Sequence, residues 1–210
     1  GAGVKLILVR HGETEWNKLG KFQGQEDVAL NERGLSQAKD TAKAAISWRP
    51  TALYSSPLGR TMQVAEEISR VTGLMVKTDP RLQELDLGDV EGVNGTQMQT
   101  QWPDVHQTWR KHPELVVMPG GESLVQLEER NWQAFKDLEK AHSEEDTIVV
   151  VSHNFAIRAI CGALLGIPLS NFHRLFLHLS SVTNLDRGQM GWRLLSYNSI
   201  SHLSPENQPT

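Results

Sequence analysis

Short runs rich in apolar residues predict four β-strands. Each run is bounded by polar, proline or glycine residues, and each is too short for a helix. The first run, at residues 5–9, is typical of a strand covered on both faces, as in parallel sheets. The runs cover residues 5–9 (KLILV), 52–55 (ALYS), 74–78 (LMVKT) and 147–151 (TIVVV).

Between these runs, apolar residues recur at helical spacing and predict four helices. Asn31 can cap the first helix, which Pro50 ends, and Gly73 ends the second. Ser123 begins a capping-box sequence before the third, and residues 155–165 form the fourth. The predicted buried faces of the first three consist of Leu35, Ala38, Ala42, Ala45 and Ile46; Met62, Ala65, Ile68 and Val71; and Leu124, Leu127, Ala134, Phe135 and Leu138.

The order of these elements predicts the fold class. Strands that alternate with helices indicate one α/β domain over residues 1–210, a three-layer α/β/α sandwich with a mostly parallel central sheet. Residues 182–186 and 192–197 flank a turn and predict a hairpin that adds an antiparallel edge. The pattern weakens over 97–121, where we expect either a lid over an active site or a packed surface segment.

Composition and charge restrict the classes of partner. Lys and Arg number 21 against 25 Asp and Glu, so the net charge is −4, and no global basic field favours nucleic acid or an anionic membrane. No apolar run approaches the ~20 residues of a membrane span, and no signal-peptide pattern is present. The one cysteine, Cys161, fits a reducing compartment. We therefore expect a cytoplasmic protein.

Three of the predicted strands end in residues that can bind an anion. The first runs into Arg10-His11-Gly12, the second into Ser55-Ser56-Pro57 followed by Arg60, and the fourth into Ser152-His153. The carboxyl ends of parallel strands share one edge of the sheet, where ligands bind, so two histidines and two arginines should converge there. Arg60 also lies in the first turn of a helix, where backbone N–H groups favour an anion. This pattern predicts a site for a small dianion.

The same residues belong to an ordered series of motifs that spans the chain. The series is LVRHGETEWN (8–17), QG (23–24), LNERG (30–34), SSPLGRT (55–61), QEL (83–85), EG (91–92), GGES (120–123) and VSH (151–153). It resembles the histidine phosphatase superfamily, the phosphoglycerate-mutase-like proteins. An R-H-G tripeptide alone would be a weak signal, but the ordered set is specific.

This resemblance implies a role for each site residue. His11 would be the nucleophile that accepts the phosphoryl group, and neutral imidazole is competent for that near pH 7. Glu84 matches the general acid, a choice that the residues alone leave open among Asp79, Glu84, Asp86, Asp89 and Glu91. We expect Asp86, Asp89 and bound phosphate to raise the pKa of Glu84. The residues implied to bind phosphate or substrate are Arg10, Asn17, Gln23, Gly24, Arg60, His153 and Asn154.

Two arginines and a protonated histidine can supply the charge that Mg²⁺ supplies in kinases, so we expect neither a metal nor a cofactor. A substrate that carries a carboxylate would need a further cation, and Arg110 or Lys111 could provide it. The oligomer is expected to be a monomer or a homodimer.

Several features favour the phosphatase branch over the mutases. Mutases resemble one another in an E-R-H-Y-G motif after the acid and in an insertion after the second arginine, and both are missing here. Gln23 also stands where mutases carry a small hydroxyl residue. The sequence therefore predicts a metal-independent phosphomonoesterase that hydrolyses small phosphorylated metabolites through a phosphohistidine. The alternatives are a phosphoglycerate mutase, an inactive regulatory member of the family, and a metal-dependent hydrolase with His11 and His153 as ligands.

Overall fold

A six-stranded sheet forms the centre of the computed structural model, which describes residues 3–209. The strands are β1 (Lys5–Arg10), β2 (Ala52–Ser55), β3 (Val76–Thr78), β4 (Thr147–Ser152), β5 (Val182–Gly188) and β6 (Gly191–Ser199). Their order across the sheet is β3-β2-β4-β1-β5-β6. The first four strands are parallel, and β5 and β6 add the antiparallel edge, as predicted from the sequence.

Helices cover both faces of this sheet. They are α1 (Glu15–Lys18), α2 (Glu32–Trp48), α3 (Gly59–Thr72), α4 (Gly95–Gln101), α5 (Pro103–Lys111), α6 (Leu124–Ala141) and α7 (Asn154–Leu165). Alternate residues of β1 point to opposite faces, so Ile7 and Val9 pack against α2 and α3, whereas Leu6 and Leu8 pack against α6 and α7. The predicted three-layer α/β/α sandwich is confirmed.

The predicted helix ends follow from local chemistry. The Asn31 side chain accepts the Gly34 N–H at 2.9 Å and so caps α2. Ser123 and Gln126 exchange reciprocal hydrogen bonds of 2.9 and 3.0 Å at the start of α6. Gly73 ends α3 at φ +76°, a left-handed conformation that glycine adopts without strain.

Some details of the sequence prediction are wrong. The third strand begins at Val76 and not at residue 74, and the one-turn helix α1 was missed. Leu35 and Ile46 are 41% and 56% exposed, although the pattern placed them on the buried face of α2. Two polar residues, Gln37 and Thr41, are buried on that helix because they bond to the C-terminal segment, Gln37 to the Asn207 carbonyl and Thr41 to His202.

The segment 97–121 forms short helices. Met98, Val116 and Met118 are buried in a third core cluster, so both ends of the segment are anchored. Helix α5 carries no buried residue. A lid formed by this segment therefore stays a prediction. Because α5 is the part without buried residues, it is the part that could act as the lid.

The described residues contain no helix that is both long and apolar enough to cross a membrane. That residues 1–210 form one domain remains a prediction. Residues 1, 2 and 210 of this predicted domain lie outside the described part of the chain.

Candidate active site

The register of the sheet brings the predicted residues to one edge. Arg10 at the end of β1 is paired with Ser152 at the end of β4, and Ser55 of β2 is paired with Val151. His11 and His153 therefore leave neighbouring strands at the same level, and their ring centroids are 5.3 Å apart.

The ring of His11 is fixed in one neutral tautomer. Its Nδ1 lies 2.7 Å from the carbonyl oxygen of Gly12, which can only accept a hydrogen bond, so the proton is on Nδ1. Nε2 therefore carries the lone pair and accepts from Nε of Arg60 at 3.3 Å. Burial, together with the charges of Arg60 and Arg10, holds the pKa of His11 well below 6.5.

Arg60 is held beside this ring by hydrogen bonds of its own. Its two terminal nitrogens donate to the carbonyl oxygens of Glu26, at 2.7 Å, and of Gly24, and its side chain is fully buried. Burial lowers the pKa of Arg60 to about 10, so the group is still cationic at neutral pH. The first N–H of α3 donates to Asp27 at 2.7 Å, so one donor of that helix end already has an anionic partner within the protein.

The ring of His153 packs edge-on against that of His11. Its Nε2 is 2.8 Å from the Ser56 hydroxyl, and its buried Nδ1 has no partner among the described residues. Burial is the main reason that the pKa of His153 lies well below 6.5, and the charge of Arg60 is the next largest cause. The imidazole is therefore neutral in this structure, whereas the sequence reasoning required a cation, which a bound phosphoryl dianion would favour.

Arg10 lines the site. Nη1 donates to the Leu177 carbonyl at 2.6 Å, while its buried Nε is unpartnered within residues 3–209. Burial lowers the pKa of Arg10 to about 10. A cavity of about 120 Å³ opens here, and it is lined by Arg10, His11, Asn17, Lys21, Phe22, Gln23, Glu84, Leu87, Asn154 and Phe155.

Thr14 orients two of the lining amides. Its backbone N–H donates to Oδ1 of Asn17 at 3.0 Å, and its hydroxyl lies 2.6 Å from Oε1 of Gln23. Because both amide oxygens are occupied, the NH₂ groups of Asn17 and Gln23 are the ends left for a ligand. Both are hydrogen-bond donors, which suits phosphate oxygens.

Glu84 is the one carboxylate, of the five acidic candidates, that lines the cavity. Its Oε1 accepts from the backbone N–H groups of Leu85 and Ala156 at 3.0 Å each, and Oε2 accepts from that of Phe155 at 2.9 Å. Burial raises the pKa of Glu84, and these hydrogen bonds oppose the rise. The direction agrees with the sequence prediction, but burial replaces Asp86 and Asp89 as its cause within the protein.

Two of the predicted binding residues have different placements. Asn154 lines the cavity, and its buried Oδ1 lacks a partner in the described chain. Gly24 does not line it, because its carbonyl accepts from Arg60 and its N–H donates to Glu91 at 2.6 Å. Gly24 therefore positions Arg60 instead of offering a group to the ligand.

A second cavity, of about 330 Å³, adjoins the first and shares Arg10, Asn17 and Asn154 with it. Sequence reasoning missed its main cation, Arg158, although that residue follows Asn154 by four positions and so lies on the same face of α7. Arg158 stacks over Phe172 at 4.2 Å, and its buried Nε has no partner among residues 3–209. Arg110 and Lys111 line a separate cavity that shares no residue with these two, so they are not placed to hold the substrate.

Within residues 3–209, no group of three or more His, Cys, Asp or Glu side chains is arranged to hold a metal ion.

Comparison with known proteins agrees with this geometry. The family model of the histidine phosphatase superfamily (branch 1) matches residues 6–200. Phosphoserine phosphatase 1 of Hydrogenobacter thermophilus is 40% identical over 169 residues, 80% of each chain. The probable phosphoglycerate mutase GpmB of Proteus mirabilis is 36% identical, over 96% of this chain and 95% of its own. A phosphoserine phosphatase of Entamoeba histolytica, solved with 3-phosphoglyceric acid, is 31% identical with a TM-score of 0.86, over 96% of this chain and all of its own.

The fold, the anion-binding edge and these relatives define a phosphoric monoester hydrolase. The chain belongs to the histidine phosphatase superfamily.

Proposed function

We propose that this chain hydrolyses small phosphorylated metabolites, without a metal, through a phosphohistidine on His11. The tautomer of His11 carries this proposal, because the Nδ1–H bond to Gly12 leaves the lone pair on Nε2, which lines the cavity beside Arg60. This lone pair gives up its 3.3 Å hydrogen bond from Nε of Arg60 when it attacks phosphorus. Neutral imidazole is the nucleophilic form. Arg10, Arg60 and the amides of Asn17 and Gln23 supply cationic and neutral donors for the phosphoryl oxygens.

The chemistry then proceeds in two steps. Nε2 of His11 forms a bond to phosphorus as the bond to the ester oxygen breaks, and that oxygen takes a proton from Glu84. Water next attacks phosphorus, gives its proton to Glu84, and breaks the P–N bond, which releases inorganic phosphate and the neutral imidazole. His153 becomes protonated when the dianion is bound, because the added negative charge raises its pKa.

Trapping the intermediate tests this mechanism. Turnover with a ³²P-labelled substrate, stopped by alkaline denaturant, should leave a base-stable, acid-labile label on the protein. His11→Ala should lose both the label and hydrolysis. Substantial turnover by a His11→Ala preparation free of contaminating phosphatase would falsify the role of His11. An inactive regulatory protein would bind phosphate but turn over no ester, including p-nitrophenyl phosphate.

Water, and not a second phosphate ester, is the proposed acceptor. The segment between Arg60 and Glu84 has no long insertion that could hold a substrate during a second transfer. Incubation with 3-phosphoglycerate should therefore release inorganic phosphate without a bisphosphate primer, if that ester reacts. Rapid, primer-dependent formation of 2-phosphoglycerate would instead support the mutase alternative, which the name of the Proteus relative keeps in view.

We further propose that the preferred substrates carry a carboxylate. Arg158 faces the cavity next to the phosphate site, and it makes no salt bridge within the described chain. The neighbouring Arg33 is already paired with Glu13 at 3.3 Å. An arginine without a carboxylate partner in a partly desolvated cavity is suited to bind a planar anion.

Phosphoserine and phosphoethanolamine differ only in the carboxylate, so they form a matched pair. The ratio of their kcat/KM values should favour phosphoserine, and Arg158→Met should lower that ratio by about 10- to 100-fold, because a hydrogen bond to a charged group contributes about 1.5–3 kcal/mol. Arg110→Met is the control and should leave the ratio unchanged. Equal use of both substrates by the parent enzyme would contradict the carboxylate proposal and leave the phosphatase proposal intact.

Helix α5 is the proposed lid. Trp109 on this helix packs against Phe155, which lines the cavity, with ring centroids 5.1 Å apart. Amide hydrogen exchange of 103–111 should slow when phosphate or vanadate is bound, and unchanged exchange would contradict a lid.

A cytoplasmic location remains a prediction. A monomeric or homodimeric state also remains a prediction, and light scattering would test it.

A further inference from the structure

Arg130 on α6 uses every N–H group of its guanidinium. Nη1 donates to the carbonyl oxygens of Arg81, at 2.8 Å, and Gln83, at 2.7 Å. Nη2 donates to the carbonyl oxygen of Glu84 at 2.7 Å and to Oε1 of Glu122 at 3.0 Å, and Nε donates to Oε2 of Glu122 at 2.8 Å. A guanidinium has five N–H donors, so all of its hydrogen-bonding capacity is used.

Three of these acceptors belong to the short segment that carries Glu84. Glu122 binds the same segment from its other end, because its N–H donates to the Asp86 carbonyl at 2.9 Å and its Oε1 accepts the Asp86 N–H at 3.2 Å. Residues 81–86 are therefore held along their backbone by one ion pair. The Arg130 and Glu122 side chains are only 19% and 15% exposed, so solvent screens the pair weakly.

The carboxylate of Glu84 has no cationic side chain bonded to it in the part of the chain described. It is held by backbone N–H groups of Leu85 and of the first turn of α7. Its position in the cavity therefore depends on the distance between the 81–86 segment and α7. Proton transfer needs the carboxyl group within hydrogen-bond reach of the leaving oxygen.

We propose that Arg130 and Glu122 form a clamp that positions Glu84 for proton transfer and takes no part in the chemistry itself. The proposal rests on the acid role of Glu84 proposed above. Neither clamp residue lines the catalytic cavity, so both are positioning residues. Lysine cannot replace the arginine, because it has three donors on one nitrogen and lacks the planar fork.

Loss of the clamp should misplace Glu84 without unfolding the chain. The Glu84 carbonyl also accepts from Nε2 of Gln25 at 3.1 Å, and the Leu82 carbonyl accepts from the Ser152 hydroxyl at 2.8 Å, so other contacts to the segment remain. The strand end that carries His11 has its own anchors, at Ser152 and Ser180. Nucleophilic attack by His11 should therefore survive, whereas protonation of the leaving group should not.

The experiment compares Arg130→Met with Arg81→Met. Arg81 lies in the same segment, but its side chain bonds outward to Asp79 and Asp137 and does not reach Glu84. For each purified variant, kcat is measured on phosphoethanolamine, whose alkoxide leaving group needs an acid, and on p-nitrophenyl phosphate, whose leaving group needs little help. Arg130→Met should lower the alkyl-to-aryl ratio by roughly tenfold or more, a part of the 10²–10⁴ that general acids supply. Arg81→Met should leave the ratio unchanged.

A double mutant separates the clamp from the acid. If Arg130 acts through Glu84, adding Arg130→Met to Glu84→Gln should not change the alkyl-to-aryl ratio any further. A fall in both activities by the same factor in Arg130→Met would overturn the clamp and indicate a merely structural role. If Glu84→Gln itself fails to change the ratio, the acid assignment is wrong and the clamp falls with it.

Glu122→Gln provides the test if Arg130→Met does not fold. The amide oxygen can still accept from Arg130 and from the Asp86 N–H, but the charge of the pair is lost. The alkyl-to-aryl ratio should fall by a smaller factor than in Arg130→Met, with an unchanged KM for p-nitrophenyl phosphate. An unchanged ratio in a folded Glu122→Gln variant that retains the parent melting temperature would contradict the clamp.

Discussion

Nε of Arg60 donates to Nε2 of His11 across 3.3 Å, so the nitrogen assigned as nucleophile lies beside a permanent cation. Arg60 keeps its charge at neutral pH, and it is fixed by two backbone carbonyls. A positive neighbour disfavours any further positive charge on this nitrogen, whether a proton or a metal ion. It favours a phosphoryl group, whose oxygens are negative.

The first prediction is that metal chelation leaves turnover unchanged. A divalent cation bound to His11 Nε2 would lie next to the guanidinium of Arg60, and His153 already engages Ser56 through its own Nε2. Dialysis against EDTA should not lower kcat on p-nitrophenyl phosphate, and added Zn²⁺ should not raise it. Loss of activity that one metal ion restores would support the metal-dependent alternative with His11 and His153 as ligands.

The second prediction concerns stability in acid. Burial holds the pKa of both His11 and His153 well below 6.5. Just below pH 6.5, the unfolded chain therefore binds protons at these two histidines that the folded chain does not bind. The free energy of unfolding should therefore fall as pH drops below about 6.5, by at most ~1.4 kcal/mol per pH unit for each histidine. Urea unfolding between about pH 7.5 and about pH 5.5, in buffers free of phosphate, measures this slope.

His153→Asn should reduce that slope, because one of the two buried imidazoles is removed. Saturating phosphate should also reduce it, since a dianion raises the pKa of His153 toward that of the unfolded chain. A His153→Asn variant with the same slope as the parent would contradict the buried, neutral state of that ring.

The third prediction is that Thr14→Val weakens substrate binding. Valine keeps the shape of this fully buried residue but removes the hydroxyl that fixes Oε1 of Gln23 at 2.6 Å and caps α1. Gln23 can then turn its oxygen toward the phosphate, so KM should rise several-fold, and unfolding should become easier by about 0.5–2 kcal/mol. Thr41→Val is the matched control, because that buried hydroxyl bonds to His202 away from the site. Equal KM values in both variants would contradict the orienting role of Thr14.

The sequence predicted those site residues that directly follow a strand and whose side chains can bind an anion. Arg10, His11 and His153 directly follow apolar strands, and parallel strand ends share an edge, so their convergence needed only local patterns. Glu84 was different, because five carboxylates lie close together in the sequence and only the resemblance selected one. The structure selects Glu84 on burial and on its contact with the start of α7.

Other features depend on contacts between distant parts of the chain. Leu35 is exposed on α2 while Gln37 is buried, because the C-terminal segment supplies a carbonyl to the Gln37 amide from 170 positions away. Arg130 likewise acts on carbonyls 46–49 positions earlier. No periodicity along the chain encodes such pairs. Arg158 had a local signal, its helical spacing from Asn154, but an arginine on a helix is usually a solvated surface residue.

The fourth prediction is that Gly24→Ala impairs catalysis through the backbone. A Cβ at this position would lie 2.5 Å from the Leu85 carbonyl oxygen, so either the Gly24 segment or the Glu84 segment must move. The carbonyl of Gly24 also holds Arg60, so both catalytic groups are affected. The kcat/KM value should fall at least roughly tenfold, the effect expected of a misplaced catalytic group. Gly95→Ala, where a Cβ meets nothing within 4 Å, is the control and should keep full activity.

The last prediction tests Glu84 as the general acid. An alkoxide has a high proton affinity, so its departure needs a positioned acid, whereas nitrophenolate leaves with little help. Burial raises the pKa of Glu84, which keeps a larger protonated fraction available near neutral pH than an exposed glutamate would have. Glu84→Gln keeps the shape and one acceptor oxygen, which can replace Oε1 for the N–H groups of Leu85 and Ala156. Its NH₂ group then faces the Phe155 N–H, so the melting temperature of the variant is measured beside its activity.

In Glu84→Gln, hydrolysis of alkyl phosphates should therefore fall by about 10²–10⁴, while phosphoenzyme formation from p-nitrophenyl phosphate should change far less. The same carboxylate activates water in the second step, so labelled phosphohistidine should accumulate in the variant during turnover. Because raising the pH deprotonates Glu84, the alkaline loss of kcat/KM on alkyl phosphates should disappear in Glu84→Gln. Equal losses on both leaving groups, with no accumulated intermediate, would remove Glu84 from the acid role and make Asp86 and Asp89 the next residues to substitute.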